Sequence, residues 1–119
     1  MKVVVIGAST NTARYSYLAV ISLLENGHEV YPLGKKKGEI NGIKIINEKP
    51  VLKDIHTITL YVNPTIQNEY IDYIVNTIKP VRVIFNPGTE NPGIYEYLTN
   101  NGIEVVEACT LVMLSTNQF

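Results

Sequence analysis

The chain has 119 residues, 45% of them apolar and 18% charged, with a formal net charge of −1. That length allows one domain, residues 1–119, and excludes a second, while the composition excludes a disordered chain and no apolar run approaches the ~18 residues of a membrane span. A lone Cys109 and two separated histidines, His28 and His56, leave no intrachain disulfide and no metal-ligand spacing.

A first strand is predicted over 2–7, where Val3-Val4-Val5-Ile6 is continuously apolar, as in a strand buried on both faces. Because Met1-Lys2 leads directly into it, no targeting segment is expected, and the cytoplasm is the expected location. The strand runs into Gly7-Ala8-Ser9-Thr10-Asn11-Thr12-Ala13, and a helix follows over 13–26. A strand that ends in glycine and small polar residues before a helix aims free N–H groups and the positive helix end at one point. An anionic phosphate can sit there. Only the first glycine of the dinucleotide fingerprint is present, and a tight turn with Thr10 or Asn11 capping the helix accounts for the same residues. Both readings are compatible: Ser9, Thr10 and Asn11 can offer donors, and Arg14 can reach back to a phosphate. On the helix, Tyr15, Leu18, Ala19 and Ser22 share one face, widened by Ile21 and Leu24, and Gly27 ends it.

The second strand, 28–33, leads to Gly34 and then Lys35, Lys36 and Lys37. A chain that grips an NAD ribose shows an Asp or Glu in this region. Lysines there instead reward a second phosphate, such as the one on the ribose of NADP or of coenzyme A. The charge is distributed accordingly: residues 1–53 hold eight Lys and Arg against four Asp and Glu, and 54–119 hold two against seven. A basic half favours a local anion site, although a solvated face explains lysines equally well. Residues 34–56 are irregular, with Gly34, Gly38, Gly42 and Pro50, and 43–46 reads as a minor edge strand.

Further strands are expected over 57–62, 82–86 and 103–107, with helices over 65–78 and 92–101. The alternation predicts a three-layer α/β fold around a mainly parallel five-stranded sheet. One connection is used twice, since 25–30 and 100–105 both run Asn-Gly-X-Glu-Val from helix to strand. Ligands of such sheets bind outside the carboxyl ends of the strands, which places Asn63-Pro64 and Asn86-Pro87 at the pocket wall. Pro64 suits a first helical turn, while Asn63 and Asn86 divide between capping and ligand contact. His28 and His56 fall at the amino ends of their strands, Glu90 is an exposed loop acid, and Cys109 reads as a buried thiol rather than one that meets a bound thiol. No nucleophile with a base is visible, so binding without catalysis is expected.

Taken in order, Val5-Ile6-Gly7-Ala8-Ser9 with Asn11 and Tyr15, Gly27-His28-Glu29-Val30-Tyr31-Pro32, Gly42, Tyr61-Val62-Asn63-Pro64, Phe85-Asn86-Pro87-Gly88 and Glu107-Ala108-Cys109 resemble the small stand-alone CoA-binding proteins. These share a Rossmann-like domain with the amino-terminal part of the succinyl-CoA synthetase alpha subunit, and the resemblance spans nearly the whole chain. It implies that the loop after strand one, with Gly7, Ala8, Ser9, Thr10, Asn11 and Arg14, cradles the CoA phosphates. It implies further that Pro32, Leu33 and Lys35, with Lys36 beside them, face the adenosine end, and that Val62, Asn63 and Pro64 close the pocket. The family's usual Asn-Pro-Lys segment is here Leu33-Gly34-Lys35-Lys36-Lys37, so the lysine that meets the ribose phosphate is left open. The synthetase's catalytic histidine has no counterpart, and no ligase chemistry carries over.

The leading expectation is therefore a protein that binds coenzyme A or an acyl-CoA without catalysis. An NADP-binding module is the alternative, which the same lysines suit but the missing second and third glycines oppose. A third reading is an interaction subunit with a vestigial pocket, in which Leu111-Val112-Met113-Leu114 packs on a protein partner or a second copy, or else forms the last buried turn. No nucleic acid or membrane is an expected partner.

Overall fold

The computed structural model describes residues 1–119. Five parallel strands form its centre: β1 (Lys2–Ile6), β2 (Glu29–Leu33), β5 (Thr57–Leu60), β6 (Arg82–Phe85) and β7 (Glu104–Glu107), in the spatial order β2-β1-β5-β6-β7. Val3 to Ile6 have no exposed surface because β1 has a strand on each side and helices above and below. Val3 and Val5 face Val20, Leu23 and Leu114, whereas Val4 and Ile6 face the layer of Ile74, Ile78 and Leu98. Each such side chain contributes about 1.5–3 kcal/mol by leaving water. Helices α1 (Tyr15–Glu25) and α4 (Thr110–Ser115) belong to the first layer; α2 (Pro64–Gln67), a π-helical segment (Tyr73–Ile78) and α3 (Pro92–Asn100) belong to the second.

Both Asn-Gly connections are built alike. Gly27 and Gly102 have φ of 82° and 78°. His28 N–H reaches back to the Leu23 carbonyl and Ile103 N–H to that of Leu98, both at 3.1 Å. These are the bonds of a left-handed helix stop. The minor strand foreseen at 43–46 is instead a two-residue hairpin, β3 (Glu39–Ile40) with β4 (Ile43–Lys44), turned by Asn41-Gly42, both at positive φ. Ile46 joins the main sheet by a single parallel bridge to Leu33, while Ile40 and Ile45 pack into the core with Val3 and Val5.

The inward face of α1 is Ser16, Ala19, Val20 and Leu23, not the expected stripe of Tyr15, Leu18, Ala19 and Ser22, whose Tyr15 and Leu18 are exposed. Two further helical expectations need correction. The helix expected over 65–78 is broken: α2 ends at Gln67, a turn covers 68–70, and the π-helical segment closes with Lys79 N–H on the Ile74 carbonyl at 2.8 Å. Three consecutive residues, Tyr73, Ile74 and Val75, are buried there, which the wider turn allows. Lys79 then turns left-handed, φ 52°, ahead of Pro80. The second correction is α4, absent from the expected helices. Its Leu114 is 7% exposed and joins the core with Val3 and Val5, while Leu111 and Met113 are half-buried and Val112 is exposed. No helix is long and apolar enough to cross a membrane.

Candidate functional site

The chain runs from β1 to β2 on one side and then crosses back to β5 on the other side of β1, and the loops that leave β1 and β5 lead to helices on opposite faces of the sheet, so a crevice opens at the carboxyl ends of these strands. Four loops close around it, those after β1, β2 and β5 and the Pro87-Gly88-Thr89 loop after β6, which stands at the wall as expected. Gly7 has φ of 95°, and its N–H and that of Ala8 both donate to the Leu33 carbonyl, at 2.9 and 2.8 Å. A Cβ on Gly7 would lie 2.9 Å from Val62 Cγ1 and 3.1 Å from the Tyr61 carbonyl group. A Cβ on Gly34 would collide with the Ala8 carbonyl oxygen. The glycines at these two places let the loops after β1, β2 and β5 touch backbone to backbone.

The result is a cavity of about 690 Å³ lined by 18 residues, none of them acidic. Its charges are Arg14, Lys35 and Lys36. Arg14 and Lys36 have no side-chain partner, while Lys35 pairs with Glu69 at 2.9 Å. The glycine loop does not run straight into the helix as expected, because α1 starts at Tyr15. Ahead of it, Ser9 Oγ accepts from Asn11 N–H and Asn11 Oδ1 from Ala13 N–H, each at 3.0 Å. The first helical bond runs from Leu18 N–H to the Arg14 carbonyl, so the amides of Tyr15, Ser16 and Tyr17 have no internal acceptor. Tyr15 and Ser16 line the cavity. Unpaired amides at the positive end of an 11-residue helix suit an anion.

Nine of the sequence-selected residues meet at the cavity: Gly7, Ala8, Ser9, Thr10, Arg14, Lys35, Lys36, Val62 and Asn63. Five do not line it. Asn11 spends its side chain on the loop, and Pro64 opens α2 beneath the Asn63 cap, whose Oδ1 accepts from Ile66 N–H at 2.9 Å. Pro32 is buried within β2, and Leu33 faces a smaller recess next door. Asn86 is 2% exposed, and its amide is used entirely indoors. It donates to Thr59 Oγ1 at 2.6 Å and to the Leu60 carbonyl at 2.8 Å, and accepts from Thr110 N–H at 2.9 Å. It ties β5, β6 and α4 together beneath the cavity floor and is not part of the wall. Of the three lysines, Lys37 does not line the cavity.

Sequence reasoning did not select Tyr15, Ser16, Tyr61, Ile66, Tyr70 or Thr89, which also line it. Tyr61 precedes the selected Val62-Asn63, and its loop position was the available signal. Burial pushes its hydroxyl up to about 12, so it stays protonated. Tyr70 was hidden by the helix expected through it; Lys49 Nζ lies 5.2 Å above its ring. Glu90 accepts from Gly88 N–H at 2.8 Å on the exposed loop, and no His, Cys, Asp or Glu lines the cavity.

A five-stranded parallel sheet between helical layers, with a cation-lined cavity where the strand order reverses, defines a Rossmann-like α/β domain. Within that class the chain belongs to the CoA binding domain family, whose model matches residues 1–115. It is 52% identical to an uncharacterized protein of known crystal structure, with a TM-score of 0.96, over 99% of this chain and 97% of that one. A hypothetical protein from Pyrococcus horikoshii OT3 is 25% identical with a TM-score of 0.81, over 96% of this chain and 81% of that one. The protein cell-free ID.343 from Thermus thermophilus shares the fold, at 21% identity and a TM-score of 0.84 over 99% and 90% of the two chains. No curated protein matches.

Proposed function

We propose that the protein binds coenzyme A or an acyl-CoA without transforming it. The observation that carries this reading is the acid-free cavity at the strand-order reversal, in a chain of the CoA binding domain family. Its parts fit the ligand's chemistry. The free amides of Tyr15 and Ser16, with Arg14, suit the diphosphate. Lys35 and Lys36, on the loop after β2, suit the separate ribose phosphate. Tyr61, Val62 and Ile66 supply apolar and hydroxyl surface for the pantetheine arm. With no His, Cys or carboxylate among the lining residues to activate the hydroxyls there, the cavity is suited to holding the molecule rather than to acting on it.

The test is calorimetric and thermal-shift titration with CoA, dephospho-CoA, acetyl-CoA, NADP and NAD. CoA at ~100 times its dissociation constant adds roughly 2.7 kcal/mol of stability. CoA is expected to bind clearly better than dephospho-CoA. Binding of NADP alone would replace this reading by the dinucleotide one, and binding of none would mark the cavity as vestigial.

A further inference from the structure

Of the three cations on the main cavity, Lys35 alone already holds an anion. Its Nζ lies 2.9 Å from one carboxylate oxygen of Glu69 and 3.2 Å from the other. Lys35, Gly34 and Tyr70 also line the adjoining recess of about 180 Å³, whose wall includes Glu69. The ion pair thus stands on the partition between two hollows. The turn that carries Glu69 is held independently of it, because Lys49 Nζ donates to the Glu69 carbonyl oxygen and lies over the Tyr70 ring. Backbone anchoring therefore keeps the carboxylate beside Lys35.

We propose that Glu69 is an internal competitor for the ligand's phosphate at Lys35. Its carboxylate makes the same kind of charge-assisted bond to the ammonium that a phosphate makes, and yields the lysine to the more highly charged group. The exchange is cheap because the pair is open to water, with the two side chains 65% and 49% exposed, where ion pairs are weak. Glu69 thereby lowers the affinity for any phosphate presented at Lys35 and favours ligands charged strongly enough to displace it. The inference rests on reading the cavity as a coenzyme A site.

Calorimetric titration with CoA and, as a probe without a nucleotide, inorganic tripolyphosphate tests it on the native chain, Glu69→Gln, Lys35→Gln and the double variant. Glu69→Gln is expected to tighten both probes about two- to five-fold, the size of a released surface ion pair. In the Lys35→Gln background the same change is expected to have no effect. Unchanged binding in Glu69→Gln overturns the competition, and so does weaker binding, which would make Glu69 a residue that positions Lys35. If tripolyphosphate binds and tightens in Glu69→Gln while CoA does not bind, the coenzyme A reading fails and the competition stands. If neither probe binds any of the chains, both are overturned.

Discussion

At the carboxyl ends of the strands, Arg14, Lys35 and Lys36 border an open cavity, whereas at the amino ends Arg82 is 9% exposed and sealed. Arg82 Nε donates to Thr57 Oγ1 at 2.7 Å, its guanidinium lies 4.6 Å from the Phe119 ring, and its Nη2 has no hydrogen-bond partner. The Phe119 ring in turn packs against His28, 5.1 Å between ring centres. Both ends carry cations, yet only one presents them to a ligand. A buried cation is committed to its neighbours, so its removal acts on folding; an exposed cation around an acid-free hollow retains its capacity for an anion. Positive charge thus marks a candidate site only where the fold leaves it accessible.

The sharpest test of this contrast is Asn86, which lies at the carboxyl end but is buried like Arg82. Asn86→Ala removes the side-chain partner of the Leu60 carbonyl and the Thr110 amide and leaves Thr59 Oγ1 only its bond to Thr110 Oγ1, and is expected to cost about 3 kcal/mol, a fall in Tm of roughly 10 °C. Thermal melts would show it, with affinity for CoA unchanged in the folded protein at low temperature. A large loss of affinity with normal stability would return Asn86 to the cavity wall. The opposite pattern is expected of Lys35→Glu with Lys36→Glu. Calorimetry should find CoA binding weakened by at least about 100-fold, since each lost charged bond is worth about 1.5–3 kcal/mol, while Tm stays within about 2 °C.

The smallest expected effect is pH dependence set by the amino end. Burial, then the amino terminus and Arg82, hold His28 below its ordinary 6.5; burial, then Arg82 and the amino terminus, do the same to His56, against a weaker pull from Glu104. The unfolded chain therefore takes up protons at higher pH than the folded one. Stability should be flat above about pH 7 and decline as pH falls through 6.5 towards the lower folded-state values. Urea melts between pH 5 and 8 would measure the slope, and His56→Gln should flatten part of it. A slope of the opposite sign would mean that the amino end welcomes the charge.

Much of the scaffold was legible along the chain. Val3–Ile6 reads as a doubly covered strand because burial on both faces removes any reason for alternation. Gly27 and Gly102 read as helix stops because a left-handed residue there favours glycine. The break at Asn68–Tyr70 was not legible, since Ile66, Tyr70, Tyr73 and Ile74 keep helical spacing across it. Nor was α4, whose six residues are too few for a periodic pattern and whose place is set by Leu114 packing onto β1.

The alternating strands and helices, the glycine turn before α1, the basic loop after β2 and membership of the CoA binding domain family are all written in local spacing and residue type. Which of those residues share a wall depends instead on packing across the fold. The order β2-β1-β5-β6-β7 brings the loops after β1, β2 and β5 together. Gly7 and Gly34 let them touch, Asn86 turns inward to satisfy three buried groups, and Glu69 arrives 34 positions along the chain to meet Lys35. These are long-range contacts, and local sequence carries no signal for a partner whose position is fixed by packing elsewhere.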